Sequence, residues 1–371
     1  MTRWLPLQGV RVVDFSMFVP GPYCSSILAD LGAEVIKVEP PRGDPGRSYV
    51  PVQFKTENRN KRSIAVDLKK PESKPIVERL VRKADVVIEG FRPGVAKRLG
   101  IDYETLKKHR AGLVYCSISG YGQTGPWKDR PGHDVNYVAA AGGLAFPGGW
   151  LKAPARSSLP VADMAGGSFA AIAILAALNE GKGAYLDLSL FEAAFFMAAM
   201  RHGTEPDADP RAHIFPVNDV FECADGKRLT LGVLEEHFWQ SFAKLVPGLG
   251  DERFATDAGR RANGDELSAL LEKVFKEKTS AEWVKLCEQN DVPVDLCLTP
   301  AQAMRLPQLR ERKATSDGFA TFPVFANGAR AGELRRGTPK LGEHTREILV
   351  ELGFDDGGIA DMVRHGVLAQ P

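Results

Sequence analysis

Over the first 120 residues, short apolar runs rich in β-branched side chains alternate with stretches of helical periodicity. Residues 10–15 read as a strand ending in the turn Val19-Pro20-Gly21-Pro22; 25–31 read as a helix stopped by Gly32, and 33–38 as a second strand. Together they form one βαβ unit with a right-handed crossover. The pattern recurs as strand 63–68, helix 71–83, strand 85–89, helix 103–109 and strand 113–118. Short apolar strands alternating with amphipathic helices predict an open, mostly parallel sheet covered on both faces, which is a Rossmann-like α/β fold.

After the sheet the pattern changes. Residues 132–141 and 163–178 read as helices rich in small residues, followed by a strand at 185–188 and a buried helix at 191–200. The polar, proline-punctuated stretch 203–210 reads as a linker. A second unit then opens near His213, with a hairpin signal at Asp225-Gly226, a strand at 228–233 and a helix at 235–245. It continues with two amphipathic helices between 264 and 289 and a strand at 292–297. Residues 314–336 look extended, and 343–352 helical.

Composition narrows the functional classes. Lys+Arg at 48 against Asp+Glu at 47 leaves a formal net charge of +1, so any anionic ligand must be held by local basic groups. The five cysteines are scattered and contain no C-x-x-C pair, which predicts reduced thiols in a cytoplasmic setting and neither a disulfide framework nor a zinc site. No apolar run is expected to reach the length of a membrane span, and the start lacks the apolar core of a signal peptide. The first turn lacks G-x-G-x-x-G, no P-loop or G-x-S-x-G occurs, and the histidines lack metal-ligand spacing. No nicotinamide, nucleoside triphosphate or metal is therefore expected.

The chemistry centres on His133 in Gly132-His133-Asp134-Val135-Asn136-Tyr137 and on Asp163 in Asp163-Met164-Ala165-Gly166-Gly167. Each sits at the start of a predicted helix. Facing a bound carbon acid, one would remove a proton and the other return it. An imidazole titrating near 6.5 in model peptides suits the base. The backbone N–H groups following Asp163 are candidate stabilisers of an enolate. Taken alone, His133 also reads as a surface or capping histidine, and Asp163 as an ordinary N-cap.

Further strings name a family. Leu7-Gln8-Gly9-Val10-Arg11-Val12-Val13-Asp14, Leu28-Ala29-Asp30-Leu31-Gly32-Ala33-Glu34-Val35-Ile36-Lys37-Val38-Glu39 and Asn60-Lys61-Arg62-Ser63 are followed by Glu89-Gly90-Phe91-Arg92-Pro93-Gly94-Val95. Gly120-Tyr121-Gly122-Gln123-Thr124-Gly125-Pro126 and Pro339-Lys340-Leu341-Gly342-Glu343-His344-Thr345 complete the order. The chain resembles the family III CoA-transferase superfamily, and within it most the α-methylacyl-CoA racemases.

The resemblance implies a large Rossmann-like domain at 1–200 and 325–371, completed by the C-terminus, with a smaller α+β domain at 213–312 between linkers at 201–212 and 313–324. It implies an interlocked homodimer, an acyl-CoA substrate, and no nucleic-acid or membrane partner. It also implies a cofactor-independent racemase or epimerase of 2-methylacyl-CoA thioesters, acting by two-base 1,1-proton transfer through an enolate. His133 and Asp163 would carry the protons, with Glu235 orienting the histidine; Glu235 also reads as a first-turn helix acid. For CoA, the resemblance points to Arg92 and Arg98, with Phe91, Gly132, Asp134 and Tyr137. Lys37, Arg42 and Lys61 are further phosphate candidates that also read as solvated charges. Val66, Leu68 and Phe91 would flank the adenine or serve as core. Phe195-Phe196-Met197 with Met200 would line the acyl chain or form a helix core. One departure stands out: similar racemases carry an asparagine four residues before the aspartate, where this chain has Leu159. The alternatives are a CoA-transferase with Asp163 as covalent nucleophile and a non-catalytic CoA-binding protein.

Overall fold

The computed structural model describes residues 4–205 and 209–369. Residues 206–208, inside the expected linker, lie outside the described residues. The chain divides into two compact units, the first comprising Met1–Ala141, Ser158–Met197 and Leu306–Pro371, the second Gly142–Ser157 and Ala198–Arg305.

The first unit is built on six strands: β1 (Arg11–Asp14), β2 (Glu34–Glu39), β3 (Lys61–Ala65), β4 (Val86–Glu89), β5 (Val114–Ser119) and β6 (Ala184–Ser189). They lie in the order β3-β2-β1-β4-β5-β6 and every pairing is parallel. The order reverses between β1 and β4, which puts the switch point at the carboxyl ends of Asp14 and Glu89, the edge where such sheets receive ligands.

Successive residues on each strand point to opposite faces. Val12, Val35, Val86 and Cys116 therefore pack with Leu28, Ala170 and Ile174 from helices α1 (Pro20–Asp30) and, later in the chain, α5 (Val161–Glu180). Val13, Ile36, Val87 and Tyr115 face the other way onto Ile76 and Leu80, and onto Ile348 and Leu349 near the C-terminus. The elements contributing this second layer are α3 (Lys74–Arg82), α10 (Thr345–Glu351) and α11 (Asp356–Arg364). The chain end also pairs with the sheet edge, where Asp67 N–H donates to Val367 O at 2.8 Å.

Helix α5 has 20 residues with a mean hydropathy of 1.8, enough by length and composition to cross a membrane, contrary to the expectation from sequence. Its small-residue face is instead buried in this unit. A Cβ added at Gly167 would meet Pro20 O at 2.7 Å, so glycine permits the contact between α1 and α5. A helix that sequence reading missed, α2 (Pro51–Glu57), precedes β3.

In the second unit, β7 (Asn218–Glu222), β8 (Arg228–Gly232) and β9 (Val294–Leu296) form an antiparallel sheet covered by α7 (Glu236–Ala243), α8 (Gly264–Phe275) and α9 (Ser280–Glu288). Aromatic side chains fill its core, with Phe221 stacked on Phe275 at 4.7 Å. Residues 142–157 belong here although they precede α5. The Trp150 indole N–H donates to Asp265 at 2.8 Å and its backbone N–H to Asp219 at 3.0 Å.

Candidate active site at the heads of two helices

His133 is the N-cap of α4 (Asp134–Ala140); its backbone N–H donates to Asn136 Oδ1 at 3.0 Å and its side chain is exposed. The next residue, Asp134, is buried, and its Oδ1 accepts from the N–H groups of Ala162 at 2.7 Å and Asp163 at 3.3 Å. One carboxylate thus caps the second helix while belonging to the first. The heads of α4 and α5, which carry His133 and Asp163, are tied together by this contact.

Two expectations are revised. Asp134, expected among the CoA contacts, is committed to helix capping. The amides following Asp163, expected to hold an enolate, lie inside α5, where the first of them, Met164 N–H, donates to Pro160 O at 2.9 Å. What remains for a developing negative charge is the positive end of the α5 dipole.

Burial pushes the Asp163 carboxyl up from 3.8 to about 7, and the negative charge of Asp134 adds to the effect. A proton carrier of this kind is balanced near neutral pH. The raised value also has a sign for stability, because the folded state prefers the protonated acid. Its contribution is complete below about pH 3.8 and is lost as the pH rises through about 7. Asp163→Asn, neutral at every pH, is therefore expected to match the parent at pH 4 and to exceed it at pH 8. The ceiling of about 4 kcal/mol follows from ~3 pKa units. Urea unfolding at the two pH values checks this; a gain of equal size at both would contradict it.

Tyr137 forms a wall of the site. Its hydroxyl donates to Gly132 O at 2.6 Å, and a Cβ on Gly132 would lie 2.6 Å from the ring, so the residue before His133 must be glycine for the phenol to sit there. Burial raises its pKa to about 12, with Asp163 and Tyr121 adding and Arg92 opposing, which locates all three charges or rings in its neighbourhood. Tyr121 meets Tyr137 edge-on at 5.2 Å and lines a cavity of about 330 Å³ with Thr124, Trp127, Asp187 and Phe191. A larger cavity of about 550 Å³ lies at the opposite, amino-terminal edge of the strands, among Arg11, Glu34, Arg62 and Glu351. Those side chains are paired with one another, so it is a structural ion-pair network rather than the site.

The remaining candidates separate by exposure. Arg92, Arg98 and Arg42 are exposed and form no ion pair among the described residues. Glu89 accepts from Phe91 N–H at 2.7 Å and so fixes the loop bearing Arg92. Lys37 and Lys61 are fully buried, Lys37 bonded to Asp44 at 2.9 Å and Lys61 to Asp14 at 3.3 Å and Asn58 at 2.9 Å. Both ammonium groups are held inside the protein, which replaces the expected phosphate contact with a structural role. Val66 is core, and Leu68 and Phe91 pack partly buried against the same cluster.

On α6 (Leu190–His202), Phe195, Phe196, Met197 and Met200 are 49%, 54%, 47% and 76% exposed, so the expected helix core is absent at these positions. Glu235 lies in the second unit as the exposed N-cap of α7, without a side-chain capping bond. Among the described residues, no group of three His, Cys, Asp or Glu is arranged to hold a metal ion.

Known proteins resemble the chain over nearly its whole length. An acetyl-CoA:oxalate CoA-transferase of Acetobacter aceti is 35% identical, covering 91% of this chain and 93% of that one. An alpha-methylacyl-CoA racemase of Mus musculus is 32% identical over 96% of both. The crystal structure of a CAIB/BAIF family protein from Brucella suis superposes with a TM-score of 0.82 at 31% identity, covering 94% of this chain and all (100%) of that one. Relatives of this similarity thus include both transferases and racemases. The model describing CoA-transferase family III matches residues 7–345, and with that match and the shared sheet the chain belongs to that family.

Proposed function

We propose that the chain is a racemase or epimerase of 2-methylacyl-CoA thioesters, needing no cofactor beyond the CoA of its substrate. One carrier takes the α-hydrogen as a proton, and the C–H electron pair moves into the thioester as an enolate. The other carrier delivers a proton to the opposite face, so that no redox partner is required. The observation that carries this reading is the Asp134 carboxylate, which joins the heads of the His133 and Asp163 helices and, together with burial, brings Asp163 to about 7. A group that must gain and lose a proton in alternate directions works best at such a value. Glu235 would orient the imidazole from a second copy of the chain in a cytoplasmic homodimer.

A CoA-transferase is the second reading. It is favoured by Leu159, which is 60% exposed where similar racemases carry asparagine, and by the similarity to an acetyl-CoA:oxalate CoA-transferase. The test is incubation of one enantiomer of a 2-methylacyl-CoA in deuterated buffer without any acceptor acid. Racemisation with α-deuterium incorporation is expected; turnover only on adding a free carboxylic acid would reject the proposal.

Because a net charge of +1 gives no general attraction, phosphate binding should depend on the exposed arginines. Arg92→Ala and Arg98→Ala are each expected to weaken CoA binding by about 1.5–3 kcal/mol, the scale of a charge-assisted hydrogen bond. Calorimetric titration with CoA measures it, and unchanged affinity in both variants would move the phosphates elsewhere.

A further inference from the structure

The His133 side chain is exposed, so the place of its ring is set mainly by the backbone that carries it. The peptide joining Gly132 to His133 is held at both of its polar atoms. Its carbonyl, on Gly132, accepts from the Tyr137 hydroxyl at 2.6 Å, and its N–H, on His133, donates to Asn136 Oδ1 at 3.0 Å. A peptide unit is planar, so fixing its carbonyl and its N–H fixes the plane and the direction in which His133 leaves it. On the other side of the residue, the His133 carbonyl accepts from the N–H groups of Asn136 at 2.8 Å and Tyr137 at 3.3 Å. Those two bonds belong to the first turn of α4. The phenol's bond does not, because Gly132 precedes the N-cap and its carbonyl takes no part in the helix ladder.

Tyr137 is itself held to the sheet. It is 6% exposed, and its ring lies between two glycines: a Cβ on Gly120, the residue after β5, would stand 2.5 Å from the hydroxyl, and one on Gly132 would stand 2.6 Å from the ring. Neither glycine has a positive φ, so the backbone does not require glycine at these positions; the phenol does. Tyr121 meets the ring edge-on at 5.2 Å and packs in turn on Trp127 at 5.5 Å and Phe191 at 5.7 Å. A phenol has one proton, and here it is committed to Gly132. That leaves only acceptor capacity toward CoA phosphates, which are acceptors themselves.

We propose that Tyr137 and Asn136 are positioning residues for His133: together they clamp the peptide that precedes it, and the wedged phenol registers that peptide to the end of β5. The proposal rests on His133 being a proton carrier, whereas the clamp itself does not depend on which reaction the protein performs. It gives Tyr137 a role other than the CoA contact implied by resemblance. The motif Gly132-His133-Asp134-Val135-Asn136-Tyr137 then divides its work, with His133 moving the proton, Asp134 joining the two helix heads, and Asn136 and Tyr137 setting the direction of the imidazole.

The test is hydrogen exchange at the His133 backbone amide in the full-length protein, read beside kcat for inversion of a 2-methylacyl-CoA and affinity for CoA. Tyr137→Phe keeps the ring and removes only the hydroxyl. It is expected to speed exchange at that amide by about 2–10-fold, the scale of one lost hydrogen bond. It should also lower kcat by about 10–10²-fold, as for a reacting group displaced by an ångström or less, with CoA affinity unchanged. Asn136→Ala, at an exposed position, should lower kcat in the same direction. Unchanged protection at His133 or unchanged kcat in Tyr137→Phe would overturn the proposal. A loss of CoA affinity with kcat intact would overturn it too, by making the phenol a ligand contact. Should Tyr137→Phe not fold, an unchanged kcat in Asn136→Ala overturns it. Faster exchange in Tyr137→Phe with no inversion by the parent protein would reject the racemase reading and leave the clamp standing.

Discussion

His133→Ala and Asp163→Ala are each expected to slow inversion of a 2-methylacyl-CoA by about 10²–10⁴-fold, the range for losing one positioned acid or base. CoA affinity should change little in either. Neither side chain is assigned to phosphate, and Arg92 and Arg98, which are, lie on the loop and helix following β4. The two losses should not multiply in the double variant, because each stroke of a two-base inversion needs both carriers and removing one already disables the pair. Chiral analysis of the products from a resolved substrate checks this. Full inversion in either single variant would remove that residue from the mechanism.

The second large effect is on stability and arises under α1. Asp14, at the end of β1, is fully buried and accepts from Ser16 N–H at 2.9 Å, from the Ser25 hydroxyl at 2.5 Å and from Lys61 Nζ at 3.3 Å. Burial alone would raise its carboxyl, yet Lys61 and Lys37 with the two serine hydroxyls hold it below its ordinary value. Lys61 in turn falls to about 8, because desolvation outweighs the attraction of Asp14. Asp14→Ala leaves Lys61 without its carboxylate in a dry site and weakens the counter-charge on Lys37, so a loss of about 3–5 kcal/mol is expected. Pairing it with Lys61→Met should recover part of that loss, since the stranded charge is then gone. Denaturant unfolding of the three proteins measures it; a loss below about 1 kcal/mol for Asp14→Ala would mean that water reaches the network.

Much of the first unit was readable from local pattern. Val12-Val13, Val35-Ile36 and Val86-Val87 are each apolar on both sides of the pleat, which only a doubly covered strand requires, and all three lie in the parallel sheet. The helix starts bearing His133 and Asp163 were legible for the same reason, since turn and glycine signals flank them. Long-range contacts were not. The excursion of residues 142–157 into the second unit depends on Trp150 meeting Asp265, 115 positions away. The misreading of Lys37 and Lys61 has the same origin: a lysine at a strand end looks solvated until Asp44 and Asp14 are known to close over it. Asp134 was expected among the CoA contacts, and only the fold reveals that it caps a helix other than its own.

Whether Asp163 moves protons or acyl groups separates a racemase from a transferase. The direct measurement is the mass of the peptide carrying Asp163 after the protein turns over acyl-CoA in the presence of hydroxylamine or borohydride. A nucleophilic carboxylate passes through an anhydride or thioester that these reagents convert into a stable mass change. An unmodified Asp163 peptide is expected while the substrate α-carbon exchanges its hydrogen. A trapped adduct on Asp163, formed as CoA passes to an added acid, would contradict it.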